Sequence, residues 1–167
     1  MSTVLIVEDE PGLRQGLVEA VQGMGHDALA AAGVSEAREA VSRQTIDCVL
    51  LDIRLRDGDG LDYLRELRQG STREMPVIVA TAYGDSERTI RAMRDGAFEY
   101  LTKPFDLSVL RATLQRAVKQ RAWAREARPA PTGPDTRGDL VGTSAAMLAV
   151  WKLIGRAASS PARLVRS

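Results

Sequence analysis

The chain has 167 residues, 44% hydrophobic and 4% aromatic, so Val, Leu, Ile and Ala must fill one ordinary core, with a small second part left over. No apolar stretch reaches the roughly 18 residues of a membrane span, the amino terminus shows no basic-then-apolar leader, and the single Cys48 sits inside an apolar run. These features argue against a membrane-spanning or disulfide-built protein and predict a cytoplasmic one. The formal net charge of +1 hides a split: 12 Lys and Arg face 19 Asp and Glu over residues 1–106 (−7), and 11 face 3 over residues 107–167 (+8).

Strand and helix signals alternate along the first part. Residues 3–7, TVLIV, read as a strand, and Pro11 opens a helix at a position where its missing N–H costs nothing, with Leu13, Leu17, Val18 and Val21 on one face. Residues 28–32 form a second strand. Ser35 is expected to cap a helix reaching about Arg43, with Glu36 and Glu39 in its first turns. Residues 46–51, IDCVLL, are the third strand, and residues 60–68 a helix bearing Leu61, Leu64 and Leu67. Residues 76–80 are the fourth strand. Asp85 or Ser86 begins a helix with Ile90 and Met93, closed by Gly96. Residues 98–101 are a short fifth strand, and a long helix starts near Leu107 with Leu110, Leu114 and Val118 on its apolar face. Five βα units with short connections predict an α/β fold: a flavodoxin-like, doubly wound five-stranded parallel sheet of order 2-1-3-4-5, its last helix extended. Runs such as VLIV, CVLL and VIVA suit strands buried on both faces.

Beyond Val118 the apolar stripe fades into KQRAWAREAR, and Pro129, Pro131, Gly133 and Pro134 end any helix. Residues 1–121 are therefore expected to form one domain, and residues 122–139 a helical extension and Pro-rich linker. Residues 140–167 start a new element. There Ser144 caps a helix with Met147, Val150, Trp151 and Ile154, an apolar face that one helix cannot bury alone.

The carboxyl ends of parallel strands share one rim, where ligands bind. Glu8 and Asp9 follow the first strand, Asp52 the third, Thr81 ends the fourth and Lys103 follows the fifth. Two carboxylates about 4 Å apart repel by on the order of 4 kcal/mol at an effective dielectric near 20, and Glu8 adds to that. Mg²⁺, a hard cation bound by carboxylate, carbonyl and water oxygens, relieves the crowding. Asp52 then becomes a candidate nucleophile toward phosphorus, Lys103 a point charge for the phosphoryl oxygens and Thr81 a hydroxyl donor to one of them.

The segments VLIVEDEPG, LLDIRLRDGDGLDYL, VIVATAYGD and DGAFEYLTKPF, spread over residues 4–105, resemble the receiver domain of two-component response regulators. The resemblance implies that Asp52 accepts a phosphoryl group from a sensor histidine kinase. It implies that Asp9, with help from Glu8, holds Mg²⁺ together with Asp52 and the backbone carbonyl of Arg54. It implies that Lys103 binds the phosphoryl group, that Thr81 and Tyr100 act as the switch, and that the Lys103–Pro104 bond is cis. The implied output surface is the fourth helix, fifth strand and fifth helix, through which, with the helical extension, the chain would form a homodimer. Two departures stand out. Glu8 occupies a position where Asp is usual, within reach through water. Arg56 stands where Pro is usual, which is expected to loosen the loop after Asp52.

LVGTSAAMLAVWKLIGRAASSPARLV is similar to the start of the AAA+ ATPase domain of activators that work with sigma-54 RNA polymerase on DNA. That resemblance places Leu140, Val141 and Gly142 beside the adenine of a complete domain. The sequence contains no G-x-x-x-x-G-K-[ST], so the ATPase part is expected to be truncated and the chain to be no enzyme beyond its own phosphotransfer and dephosphorylation.

Other readings need other residues. A flavin- or nucleotide-binding protein of this topology needs a Ser/Thr/Gly-rich loop where Glu8-Asp9-Glu10 stands. A phosphatase with paired aspartates needs an acid where Arg54 stands. A stand-alone receiver regulating a protein partner needs only residues 1–121. Cys48 reads as a buried thiol, His26 as a surface residue, Asp57 and Asp59 as turn residues, and the Arg-rich stretch 111–128 as a solvated helix face.

Overall fold

The computed structural model describes residues 1–82 and 85–127, so the helix expected at Ser144, Leu140 to Gly142 and most of the linker lie outside the described residues. The alternation is realised in chain order: β1 (Thr3–Val7), α1 (Pro11–Gly23), β2 (Asp27–Ala31), α2 (Val34–Arg43), β3 (Cys48–Asp52), α3 (Gly60–Leu67), β4 (Val77–Ala82), α4 (Ser86–Arg94), β5 (Glu99–Lys103) and α5 (Leu107–Glu126). All five strands pair in parallel, in the order β2-β1-β3-β4-β5.

The two-residue period of a strand decides the layering. Val4, Ile6, Cys48, Leu50 and Ile78 face Leu17 and Val21 of α1 and Leu110, Leu114 and Ala117 of α5. Their neighbours Leu5, Val7, Val49, Leu51, Val77 and Val79 face Ala37 of α2, Leu64 and Leu67 of α3 and Ala92 of α4. Each such Leu or Val contributes roughly 1.5–3 kcal/mol by leaving water, which is why the central strands tolerate no polar alternation. Burial pushes the Cys48 thiol up to about 12, leaving it unreactive at neutral pH.

The register aligns the strand ends. Val7 pairs with Leu51, so Glu8 and Asp52 leave the sheet side by side; Asp52 pairs with Ala80, and Ala82 with Lys103. The Lys103–Pro104 bond is cis, and Gly96 turns the chain after α4 at φ +92°. α5 passes unbroken through residue 121, and near its end Arg125 pairs with Asp47 at 3.0 Å.

Four local features differ from the sequence reading or add to it. Ser35 does not cap α2: the helix starts at Val34 behind Gly33, and the cap comes from Asp57, whose carboxylate accepts from the N–H groups of Val34 (2.9 Å) and Ser35 (3.0 Å). The loop after Asp52 is closed despite Arg56: Arg54–Leu55 and Gly58–Asp59 pair antiparallel in a small hairpin. Asp59 then caps α3, accepting from Leu61 N–H at 2.8 Å. A single turn of 3₁₀-helix, Gly70–Thr72, precedes β4.

Candidate phosphoacceptor and metal site

Glu8 and Asp52 are 2% and 8% exposed. Buried carboxylates persist only when charge and hydrogen bonds compensate them. Lys103, arriving at the end of β5, compensates both: its Nζ donates to Glu8 Oε2 at 2.6 Å and to Asp52 Oδ2 at 2.7 Å. The remaining oxygens are held by backbone. Glu10 N–H donates to Glu8 Oε1 at 3.2 Å, and Arg54 N–H donates to Asp52 Oδ1 at 3.0 Å. Asp9, less buried, pairs through Oδ2 with Arg56 Nε at 3.3 Å.

These contacts set the electrostatics. Burial pushes the Glu8 carboxyl above the usual carboxylate range, against the pull of the Lys103 hydrogen bond. Burial alone would lower the Lys103 ammonium, but its bonds to Asp52 and Glu8 outweigh that and leave it raised. The crowding expected from the sequence is thus partly relieved by Lys103, which spans two of the acids. Three carboxylates and one ammonium still leave a net charge of −2. Glu8, Asp9 and Asp52 each offer an oxygen within 4.8 Å of the others. An all-oxygen donor set with that charge fits a hard dication such as Mg²⁺.

Glu8, Asp9, Asp52 and Lys103 therefore meet as the sequence suggested. Thr81 is buried beside them in β4, its hydroxyl donating to Ala82 O at 3.1 Å. Tyr100 stands apart, 42% exposed, on a groove shared with Ile90 and Thr102. His26 is half-buried at the turn into β2.

Several contributors lie outside the residues singled out from the sequence. Arg14 Nη1 donates to the carbonyls of Glu8 (2.8 Å) and Asp9 (3.4 Å), fixing the turn that carries the acids. Arg54 Nη2 reaches Asp85 at 3.1 Å, tying the hairpin to the start of α4. Gly60 lies so close to β3 that a methyl group on it would fall 2.3 Å from the Asp52 carbonyl oxygen. Arg14 was detectable as the one cation in the first helical turns after the acids; the others are long-range contacts without a local pattern.

Comparison with known proteins gives a consistent picture. Residues 4–115 match the family described as response regulator receiver domain. The chain is 41% identical over 158 residues to the response regulator protein PilR of Pseudomonas aeruginosa, covering 95% of this chain and 34% of the relative. It is 34% identical over 158 residues to the DNA-binding transcriptional regulator NtrC of Escherichia coli K12, covering 94% and 33%. Among solved structures, NtrX from Brucella abortus in complex with ADP matches at a TM-score of 0.72 and 29% identity, over 93% of this chain and 34% of that one. A receiver domain protein from Clostridium thermocellum matches at 0.70 and 30%, over 74% and 99%. The chain spans about a third of the length of the curated relatives it matches. No helix among the described residues is long and apolar enough to cross a membrane.

Proposed function

The chain belongs to the response regulator receiver domain family, and from that premise we propose that it is a cytoplasmic, phosphorylation-driven switch whose acceptor is Asp52 and whose donor is a sensor histidine kinase. The observation that carries this reading is the bridge from Lys103 to Glu8 and Asp52, at 2.6 and 2.7 Å, beside the third carboxylate, Asp9. Asp9 and Asp52, the Arg54 carbonyl and, through water, Glu8 would hold Mg²⁺. When bound, the cation neutralises the acids and the phosphoryl oxygens.

Asp52 supplies the nucleophile. A carboxylate oxygen attacks phosphorus, forming the aspartyl O–P bond, while the P–N bond of the donor's phosphohistidine breaks and its imidazole leaves with the electron pair. The Arg54 N–H holds the attacking carboxylate in orientation. Lys103 Nζ, already at the Asp52 carboxylate, turns to an equatorial phosphoryl oxygen. Thr81 rotates its hydroxyl from Ala82 O toward another phosphoryl oxygen. The space it leaves lets Tyr100 turn inward from the surface.

The added charge of about −1.5 to −2 biases the surface of α4, β5 and α5 between two arrangements. We read this surface, with the end of α5, as the homodimer face. In the longer protein, dimerisation would control an AAA+ ATPase that begins within residues 140–167 and acts on sigma-54 RNA polymerase at DNA. The relatives PilR and NtrC, matched beyond the receiver family's 4–115 span, support that extension. Residues 1–121 would form the receiver and residues 122–139 the link. The test is uptake of labelled phosphate from a small acyl-phosphate donor. The chain takes up label with MgCl₂ and loses the ability with a chelator or in Asp52→Asn; equal labelling of Asp52→Asn removes Asp52 from its role.

A further inference from the structure

We propose that Asp57 is a positioning residue of the phosphoacceptor site, latching the tip of the hairpin after Asp52 onto the amino end of α2 through a slot that Gly33 leaves open. The inference rests on the reading of Asp52 and the Arg54 carbonyl given above. It adds a remote pair of residues on which that geometry depends.

The hairpin joins the site at its base, and its tip is held through side chains. Arg54 pairs with Asp59 and Leu55 with Gly58, so Arg56 and Asp57 form the turn. Their side chains reach different elements: Arg56 meets Asp9 after β1, and Asp57 meets α2. The Arg56 contact is long and its side chain is mostly in water, so it contributes little. The Asp57 contact is a two-pronged cap. Its Oδ1 and Oδ2 accept from the consecutive N–H groups of Val34 and Ser35 at 2.9 and 3.0 Å. α2 has no cap of its own, because its N-cap residue is Gly33, so without Asp57 both donors turn to solvent.

Gly33 is the counterpart. Its backbone is extended, at φ −174°, a conformation any residue adopts, so glycine is required here for space. A Cβ on Gly33 would lie 2.2 Å from Asp57 Oδ1 and 2.5 Å from its Cγ, and would expel the carboxylate. The two N–H groups also hold the Asp57 carboxyl below its usual range. The latched tip is three residues from the Arg54 backbone. That backbone offers its N–H to Asp52 and, on the reading above, its carbonyl to the cation. Releasing the tip lets the Arg54 peptide rotate away from both tasks.

The test is a titration of the ¹⁵N-labelled chain with MgCl₂, followed by amide shifts. In the wild type the amides of Val34 and Ser35 shift with the same midpoint as those of Asp9 and Arg54. Asp57→Ala weakens the Mg²⁺ midpoint about tenfold, the size typical of lost outer contacts at a metal site. Asp57→Asn, which keeps an acceptor oxygen, recovers part of it. Gly33→Ala reproduces the Asp57→Ala loss, and combining the two adds nothing further. A folded Asp57→Ala or Asp57→Asn chain that melts earlier yet binds Mg²⁺ with the wild-type midpoint reduces Asp57 to a helix cap and overturns the latch alone. A wild type that shows no Mg²⁺ shift at Asp9 or Asp52 overturns the site reading beneath it, and the latch with it.

Discussion

The two shoulders of the acid rim are built differently. On the side of β3 and α3, backbone and side chains are tied at every step: the Arg54–Asp59 ladder, the Asp57 cap on α2, the Arg54–Asp85 ion pair and the close approach of Gly60 to Asp52. On the side of α4 and β5, Ile90, Met93 and Tyr100 stand 56%, 41% and 42% exposed, and Asp85 makes no side-chain cap on α4. On the function proposed above, the first shoulder would present its oxygens to a cation and a phosphoryl group at fixed positions, so that binding there would cost little reorganisation. The second holds apolar groups in water beside the site, where, on the same proposal, a small rearrangement would change what a partner meets.

The contrast predicts a graded series. Lys103→Met leaves Glu8 and Asp52 facing each other without their shared cation. The expected loss is about 2–3 kcal/mol, below the full cost of breaking a buried pair because Lys103 is partly exposed. Urea unfolding measures it, and MgCl₂ should restore more stability to the variant than to the wild type. Next comes Gly60→Ala, whose methyl group meets the Asp52 carbonyl oxygen at 2.3 Å and Ile53 Cα at 2.8 Å. Displacing that backbone costs about 1–3 kcal/mol, and Mg²⁺ affinity should fall with it in the same denaturation series.

A smaller effect, with a sign that tests the electrostatics, comes from Glu8→Gln. The folded-state pKa of Glu8 is raised, so its contribution to stability is present at low pH and is lost as pH rises through that value. Above that value the charged form of Glu8 therefore weakens the metal-free fold. Glu8→Gln should raise the Tm at pH 7, lose that advantage on acidification toward the ordinary value of 4.5, and gain less protection from MgCl₂. A variant that melts below the wild type at pH 7 contradicts this. On the opposite shoulder, Ile90→Ser should change stability by no more than about 0.5 kcal/mol and leave phosphoryl uptake intact, because Ile90 is mostly in water. A large loss there would mean that both shoulders are structural.

The same contrast explains what the sequence revealed. VLIV, CVLL and VIVA each satisfy both faces of one sheet, so composition and period carry the parallel fold, and the strand ends then place Glu8, Asp9, Asp52 and Lys103. The hairpin escaped because its strands are two residues long and charged, below any periodic signal. Ser35 satisfies a helix-start pattern because such patterns are local, whereas the acceptor that caps α2, Asp57, lies 22 residues further on. A cap supplied in trans needs only a carboxylate in one loop and a glycine in another, each common alone.

On the function proposed above, the buried rim acid at the end of β3 carries the phosphoryl group. Reduction of the phosphorylated chain with borohydride, followed by peptide mapping, tests it most directly, because an acyl phosphate is reduced to the alcohol and free carboxylates are not. Conversion of Asp52 to homoserine is expected in the Mg²⁺-treated sample alone. Conversion at Asp9, or label that survives reduction on a hydroxyl or imidazole, would contradict it.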